Sequence, residues 1–199
     1  MLNIQLLLVA AGASSRMGEP KQLLPWNNQT LIEHQLNNLL KTNTTTSVVL
    51  GANAEKISSV IDSLPISIFT NPKWQNGMGN SISFGIQQLL EKDANIDGIL
   101  ISLIDQPLLT TEYFNKIIES FQINKKQIIV SQSENGWLGA PVLFDKTYFD
   151  ELINLKGDEG AKLIISKNKN KIHLILAETI LQDIDTPEAY QKLFKKFHK

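Results

Sequence analysis

The 199-residue chain has no cysteine. Disulfides, zinc–thiolate centres, iron–sulfur clusters and cysteine nucleophiles are excluded together, and such a chain suits a reducing compartment. An excess of charge is also missing: 19 Lys and Arg stand against 20 Asp and Glu, a formal net charge of -1. That balance supplies neither a basic face for nucleic acid nor an acidic tail. Any phosphate must therefore be held by a local arrangement. A long apolar run is missing too. The stretch Ile4–Ala11 is interrupted by Gln5, has no basic residue before it and is too short to span a bilayer. It reads as a first strand, and a cytoplasmic protein without membrane contact is expected. His34, His173 and His198 stand in helical or strand patterns with no partner motif. Without a Ser-His-Asp arrangement, covalent catalysis has no candidate.

What is present is an ordinary apolar content of 42%, enough for a core, over a length that suits one domain, residues 1–199. Short apolar runs predict strands at Ile4–Ala10, Ser47–Leu50, Ile66–Phe69, Gly98–Leu103, Gln127–Ser131, Ala140–Phe144 and Ile172–Ala177. The first and fourth are almost continuous in Leu, Ile and Val, as strands covered on both faces are. Helical spacing separates them. Thr30 and Glu33 form a capping-box pattern ahead of Leu31–Leu40. Ile57, Val60, Ile61 and Leu64 recur with helical period, as do Phe114, Ile117, Ile118 and Phe121, and Tyr148, Phe149, Leu152 and Ile153. Thr186-Pro187 suits the cap and first position of a last helix, whose Lys195, Lys196 and Lys199 read as a solvated face. Alternating strands and helices predict an α/β fold, a mostly parallel mixed sheet between two helix layers.

The first strand runs into Ala10-Ala11-Gly12-Ala13-Ser14-Ser15-Arg16-Met17-Gly18-Glu19-Pro20-Lys21. In open α/β sheets, ligands bind beyond the carboxyl ends of the strands. Small residues there let backbone N–H groups approach an anion, and consecutive N–H groups make an anion-binding concavity. Gly12 and Gly18 can take backbone angles closed to other residues, while Arg16 and Lys21 add positive charge. The spacing is not that of a Walker A loop, nor is there the Gly-x-Gly of a dinucleotide fingerprint. From the residues alone, a turn with two surface cations remains equally open.

Two acidic positions suit the same crevice. Asp105 ends the fourth strand in Asp105-Gln106-Pro107, either as a magnesium ligand or as a turn cap. Asp183-Ile184-Asp185-Thr186-Pro187-Glu188 follows the last strand, where Asp and Thr are also common helix-start residues. Gly77, Gly79 and Ser81 lie in Trp74-Gln-Asn-Gly-Met-Gly-Asn-Ser81, just ahead of a helical stretch carrying Ile82, Ile86, Leu89 and Leu90. They suit either ligand approach at a helix start or a tight structural turn. Gly157-Asp158-Glu159-Gly160 offers a further acid, Asp158, a cap or a substrate contact. Trp26, Trp74 and Trp137 fall in loops near the same crevice, as packing residues or as ligand walls.

Together, Leu8–Trp26, Asp105-Gln106-Pro107, the Gly77–Ser81 turn and Asp183–Glu188 resemble the molybdenum cofactor nucleotidyltransferase family. The resemblance runs from Leu8 to Tyr190. It implies a Rossmann-like three-layer fold of the type shared with nucleotide-diphospho-sugar transferases, and a magnesium-dependent transfer of a nucleoside monophosphate with release of pyrophosphate. It implies that Gly12, Arg16 and Lys21 hold a triphosphate, that Ala10 and Ala11 line the nucleotide, and that Gly77, Gly79 and Ser81 contact nucleotide or acceptor. Arg16, Lys21 and Asp105 are the implied catalytic set, with Asp105 and Asp185 as metal ligands. Asp183 is set aside, on the expectation that strand alternation turns it away from Asp185's side. Ala10-Ala11-Gly12 resembles the cytidylyl branch, which implies CTP and a molybdopterin-type acceptor, with a molybdoenzyme or chaperone as partner. Guanylyl transfer, transfer to a sugar phosphate, and a non-catalytic nucleotide-binding module stay open. Two positions depart from the pattern: Asn28 replaces a turn glycine, and Ala140 stands where the cytidylyl branch often has His.

Overall fold

The computed structural model describes residues 2–158 and 160–197. Glu159, His198 and Lys199, singled out above, lie outside the described residues.

A seven-stranded sheet runs through the fold in the order β5-β4-β1-β6-β8-β7-β9. Its strands are β1 (Ile4–Ala10), β4 (Thr46–Leu50), β5 (Ser67–Thr70), β6 (Gly98–Leu103), β7 (Ile128–Gln132), β8 (Leu138–Asp145) and β9 (Ile172–Leu176). All run parallel except β8, which is antiparallel to both neighbours. Strand alternation divides β1 between two cores. Leu6, Leu8 and Ala10 join one, with residues from the helices α1 (Leu31–Leu40), α2 (Ala54–Ile61), α4 (Thr111–Glu119) and α7 (Pro187–Phe197). Leu7 and Val9 join the other, with residues from α3 (Met78–Lys92), α5 (Phe149–Ile153) and α6 (Lys162–Lys167). Burial on both faces explains why β1 and β6 read as nearly continuous apolar runs.

Local signals explain the helix starts. Thr30 Oγ1 accepts from the Glu33 N–H while Glu33 Oε2 accepts from the Thr30 N–H at 2.8 Å, a closed capping box on α1. The Ala189 N–H donates to Thr186 Oγ1 at 3.2 Å, capping α7, on which Lys195 and Lys196 are exposed. Three strand and helix elements go beyond the sequence reading, two short strands and α6. Pro25–Trp26 (β2) and Gln29–Thr30 (β3) pair as a small hairpin whose turn residues, Asn27 and Asn28, take φ of 49° and 62°. Asn28 thus supplies the positive φ for which the resemblance has glycine. The short α6 carries too brief an apolar stretch to show a period. Strand ends move by one or two residues from the sequence reading; β8 begins at Leu138.

The topology fixes the site. β1 has β4 on one side and β6 on the other, and the chain reverses its direction of sheet growth there. Ala10 lies beside Leu50, and Val9 beside Leu103. The loops leaving β1 and β6 therefore open into one crevice at the carboxyl edge. Among the described residues, no helix is long and apolar enough to cross a membrane.

Candidate active site

The loop after β1 has a fixed shape. Ser14 takes φ of 56° and Gly18 φ of 76°. The Lys21 N–H donates to Ser14 Oγ at 3.1 Å and the Met17 N–H to the Ser14 carbonyl at 2.8 Å. Gln22, 1% exposed, spans the loop from beneath. Its Nε2 donates to the carbonyls of Ala10 at 2.8 Å and Gly12 at 3.0 Å, and its Oε1 accepts from Ser14 Oγ. Among the described residues the N–H groups of Gly12, Ala13, Ser14, Ser15 and Arg16 find no acceptor in the chain. A run of free donors with its carbonyls tied down is an anion cradle. A Cβ at Gly12 would meet nothing within 4 Å, so this glycine faces open space.

Lys21 leaves the end of this loop and meets two carboxylates. Its Nζ lies 3.3 Å from Asp105 Oδ2 and 2.9 Å from Asp185 Oδ1. Arg16 reaches the other oxygen of Asp185 at 3.1 Å. The side chains of Lys21 and Asp105 are 12% and 17% exposed, that of Arg16 69%. The Arg16 pair is a surface ion pair of about 0–1 kcal/mol at most; the Lys21–Asp105 pair is shielded from water, while Asp185 is 37% exposed. The resemblance placed these four residues together across 169 positions of sequence, and the fold brings all four to one cleft of about 400 Å³.

Among the described residues no backbone N–H donates to the Asp105 side chain, so it does not cap the following turn. Its backbone carbonyl accepts from the Ile184 N–H at 2.8 Å, which ties the Asp183–Asp185 segment to the end of β6. Ile184 is fully buried. This corrects the expectation for Asp183: an extended chain repeats every two residues, so Asp183 and Asp185 share one face and Ile184 takes the other. Asp183 Oδ1 accepts from Gln106 Nε2 at 3.0 Å. Asp183 is exposed over much of its surface, but desolvation of its carboxyl, with the Asp105 charge, pushes it above its usual range. For Asp185 burial works in the same direction, but the hydrogen bond and charge of Lys21, with Arg16, outweigh it and hold the carboxyl below its usual range.

The glycine turn ahead of α3 forms part of the wall. Gly77, at φ 97°, and Ser81 line the cleft with Trp74 and Met78. A Cβ at Gly77 would collide with Asp158 Oδ1 and the Gly157 carbonyl. Gly79 is buried, its N–H donating to the Gly157 carbonyl at 2.8 Å, so its role is contact with that loop. Ala10 is likewise turned into the core, 1% exposed, while Ala11 lines the cleft. Of the three tryptophans, Trp26 is packed against His34, Tyr190 and Phe194. Trp137 is 42% exposed on a second cavity. That cavity, about 260 Å³, shares Met78, Asp105, Asp158 and Asp185 with the first. Its remaining wall is largely apolar, with Ile82, Ile101, Val142, Phe144 and Ile165, and Ala140 contributes a methyl group where His was noted as the alternative. Gln22, Gln106 and Met78 were not singled out from sequence. A polar Gln22 next to Lys21 and ahead of Leu23-Leu24 was the one available signal.

The carboxylates suit a hard divalent cation. Asp105 Oδ1 is buried with no hydrogen-bond donor among the described residues, an acceptor left open. No group of three or more His, Asp or Glu there could cage a metal. Magnesium is commonly bound by one or two carboxylates, with water and phosphate oxygens completing its shell.

Residues 6–172 match the model of the MobA-like NTP transferase domain. The purine catabolism protein PucB of Bacillus subtilis is 30% identical, with 92% of each chain covered. Nicotine blue oxidoreductase of Paenarthrobacter nicotinovorans is 29% identical, with 94% of each covered. Molybdenum cofactor cytidylyltransferase of Escherichia coli is 26% identical over 96% of this chain and 95% of its own. Among solved structures, Rv0371c of Mycobacterium tuberculosis shares the fold at a TM-score of 0.85, with 23% identity and 98% of both chains covered. A second structure of Rv0371c, in complex with manganese, aligns at a TM-score of 0.81, with 22% identity, 97% of this chain and 98% of that one. With a family model spanning most of its length and a 30% identical relative covered over 92% of both chains, the chain belongs to the MobA-like NTP transferases and is a nucleotidyltransferase.

Proposed function

We propose that this chain transfers CMP from CTP to the phosphate of a molybdopterin-type acceptor, releasing pyrophosphate, with magnesium as the metal. The observation that carries the reading is the convergence of Lys21 and Arg16 with Asp105 and Asp185 beside five free backbone donors. The 26% identical cytidylyltransferase supports the choice of CTP and acceptor, and the manganese complex of a protein of the same fold supports a divalent metal.

An acceptor phosphate oxygen would bond to the α-phosphorus as the bond to the bridging oxygen breaks. Pyrophosphate leaves with that electron pair. The acceptor oxygen is already anionic, so no side chain has to take a proton. The protein's part is placement and charge neutralisation. Free N–H groups of Gly12–Arg16 hold phosphate oxygens, and the Arg16 and Lys21 cations face the charge that develops on the leaving pyrophosphate. Asp105 and Asp185 would hold magnesium, which supplies neutralisation of phosphate charge. The cavity walled by Val142, Phe144 and Trp137 meets the first at Asp105. This contact suits an acceptor with a largely apolar body that presents its phosphate at the carboxylates.

The test is a pyrophosphate-release assay crossing CTP, GTP, ATP and UTP with molybdopterin and a set of sugar phosphates. Release is expected with CTP and molybdopterin. Release only with GTP would move the reading to guanylyl transfer, and release only with a sugar phosphate would move the acceptor. Because one relative is named an oxidoreductase, a reductant-consumption control belongs in the same matrix.

A further inference from the structure

The ammonium of Lys21 stands between the two carboxylates, on one oxygen of each. A divalent cation that bridges these same two oxygens, Asp105 Oδ2 and Asp185 Oδ1, would compete with the ammonium for that place. Lys21 lines the cleft with its side chain only 12% exposed, so leaving the carboxylates costs the ammonium a shielded pair of partners. The Lys21 backbone cannot follow the ammonium outward. The Lys21 N–H is bonded to Ser14 Oγ, and the loop is pinned through Gln22 to the carbonyls of Ala10 and Gly12. Only the side-chain torsions are free to move. A metal ion entering alone would push a shielded ammonium off two carboxylates while adding two positive charges beside it. A triphosphate arriving with the metal gives the ammonium new anionic partners on the same loop.

Resting on the triphosphate reading above, we propose that Lys21 is an internal counter-ion that blocks the metal position until a triphosphate draws it away. Metal and triphosphate then bind synergistically, and free metal does not load the empty enzyme. The device keeps the two carboxylates paired in the ligand-free state and couples metal capture to the presence of substrate.

The test measures Mn2+ binding to the full chain, without nucleotide, by electron paramagnetic resonance and calorimetry. The proteins are wild type, Lys21→Met, Lys21→Gln, Lys21→Arg and Arg16→Met. The two Lys21 variants that lack the charge are expected to bind Mn2+ alone at least tenfold more tightly than wild type. Lys21→Arg keeps the charge and is expected to stay near wild type. Arg16→Met removes an equal charge from an exposed position and is expected to tighten binding far less. Equal or weaker Mn2+ binding in both Lys21→Met and Lys21→Gln, each folded by circular dichroism, overturns the proposal. So does an Arg16→Met gain as large as that of Lys21→Met, because bare charge removal would then suffice. A second arm measures CTP, GTP and tripolyphosphate binding with and without Mn2+. Triphosphate binding without the Lys21→Met gain sinks the counter-ion and leaves the triphosphate reading standing. The Lys21→Met gain with no triphosphate bound by wild type sinks the triphosphate reading and supports the blocked metal position.

Discussion

The two sides of the cleft are built differently. The phosphate side is one short loop, Gly12–Lys21, with backbone donors, two cations and a buried glutamine that fixes its shape. The far side is assembled from distant elements: the start of α3, β8, the Gly157–Asp158 turn and α6. It is mostly apolar, with Asp105, Asp158 and Asp185 where it meets the loop and Asp183 beyond them. On the proposed reading, the contiguous loop binds what every nucleoside triphosphate shares. A wall drawn from several elements can change its lining piece by piece without disturbing that loop. Relatives named for purine catabolism, for an oxidoreductase and for a cytidylyltransferase stand at 30%, 29% and 26% identity, as such a division would allow.

Breaking the junction of the two sides should have the largest effect. Asp105→Asn removes charge at one of the carboxylates shared by both cavities, the one paired with Lys21 at the end of β6. A metal ion's stabilisation of several kcal/mol corresponds to about 10²- to 10⁴-fold in rate. A kcat loss in that range is expected, measured by pyrophosphate release, with the circular dichroism spectrum unchanged.

A variant of the wall between them comes next. Gly77→Ala puts a Cβ at φ 97° and ψ 176°, a region essentially reserved for glycine, against the Gly157 carbonyl. A stability loss of roughly 1–3 kcal/mol is expected from the backbone alone, read by urea denaturation.

Gln22→Leu sharpens the contrast between the sides. It strands the carbonyls of Ala10 and Gly12, a cost of roughly 1–3 kcal/mol for an unsatisfied buried group. The KM for the triphosphate should rise while the KM for the acceptor stays near wild type. An equal rise in both would mean that the sides are not independent.

The smallest effect concerns Asp183→Asn. The folded carboxyl titrates above its unfolded value of 3.8, so the ionised form disfavours folding at neutral pH. Native Asp183 therefore contributes stability below the unfolded value, which is lost as pH rises through the folded one. The Asn variant, which can still accept from Gln106, should melt higher than wild type at neutral pH. That gain should disappear as the pH falls to the unfolded value. A gain that does not change with pH would remove the titration from the explanation.

The phosphate side was largely legible in the sequence because its chemistry is local. Gly12, Arg16 and Lys21 lie within ten positions, and a resemblance over that run could name them. The nearly continuous apolar character of β1 and β6 likewise announced a covered parallel sheet. Asp185 could be named only by resemblance, since its partner Lys21 is 164 residues away. Asp183 was misplaced because the period of an extended segment was counted wrongly: positions i and i+2 share a face. Gly79 and Ala10 were read as ligand contacts, yet one packs against Gly157 and the other faces the core. Small residues look alike in sequence whether a ligand or a neighbouring backbone approaches them. The apolar far wall was illegible because its members are ordinary core residues that happen to border a cavity.

The central claim is that the loop and the carboxylates together move the α-phosphoryl group of a triphosphate. The most direct measurement follows label from CTP to molybdopterin in the presence of magnesium, with the α-phosphorus and the γ-phosphorus labelled in separate reactions. The α-label is expected in the acceptor product and the γ-label in pyrophosphate. Appearance of the γ-label in the acceptor, or of neither label with any triphosphate and acceptor tried, would contradict it.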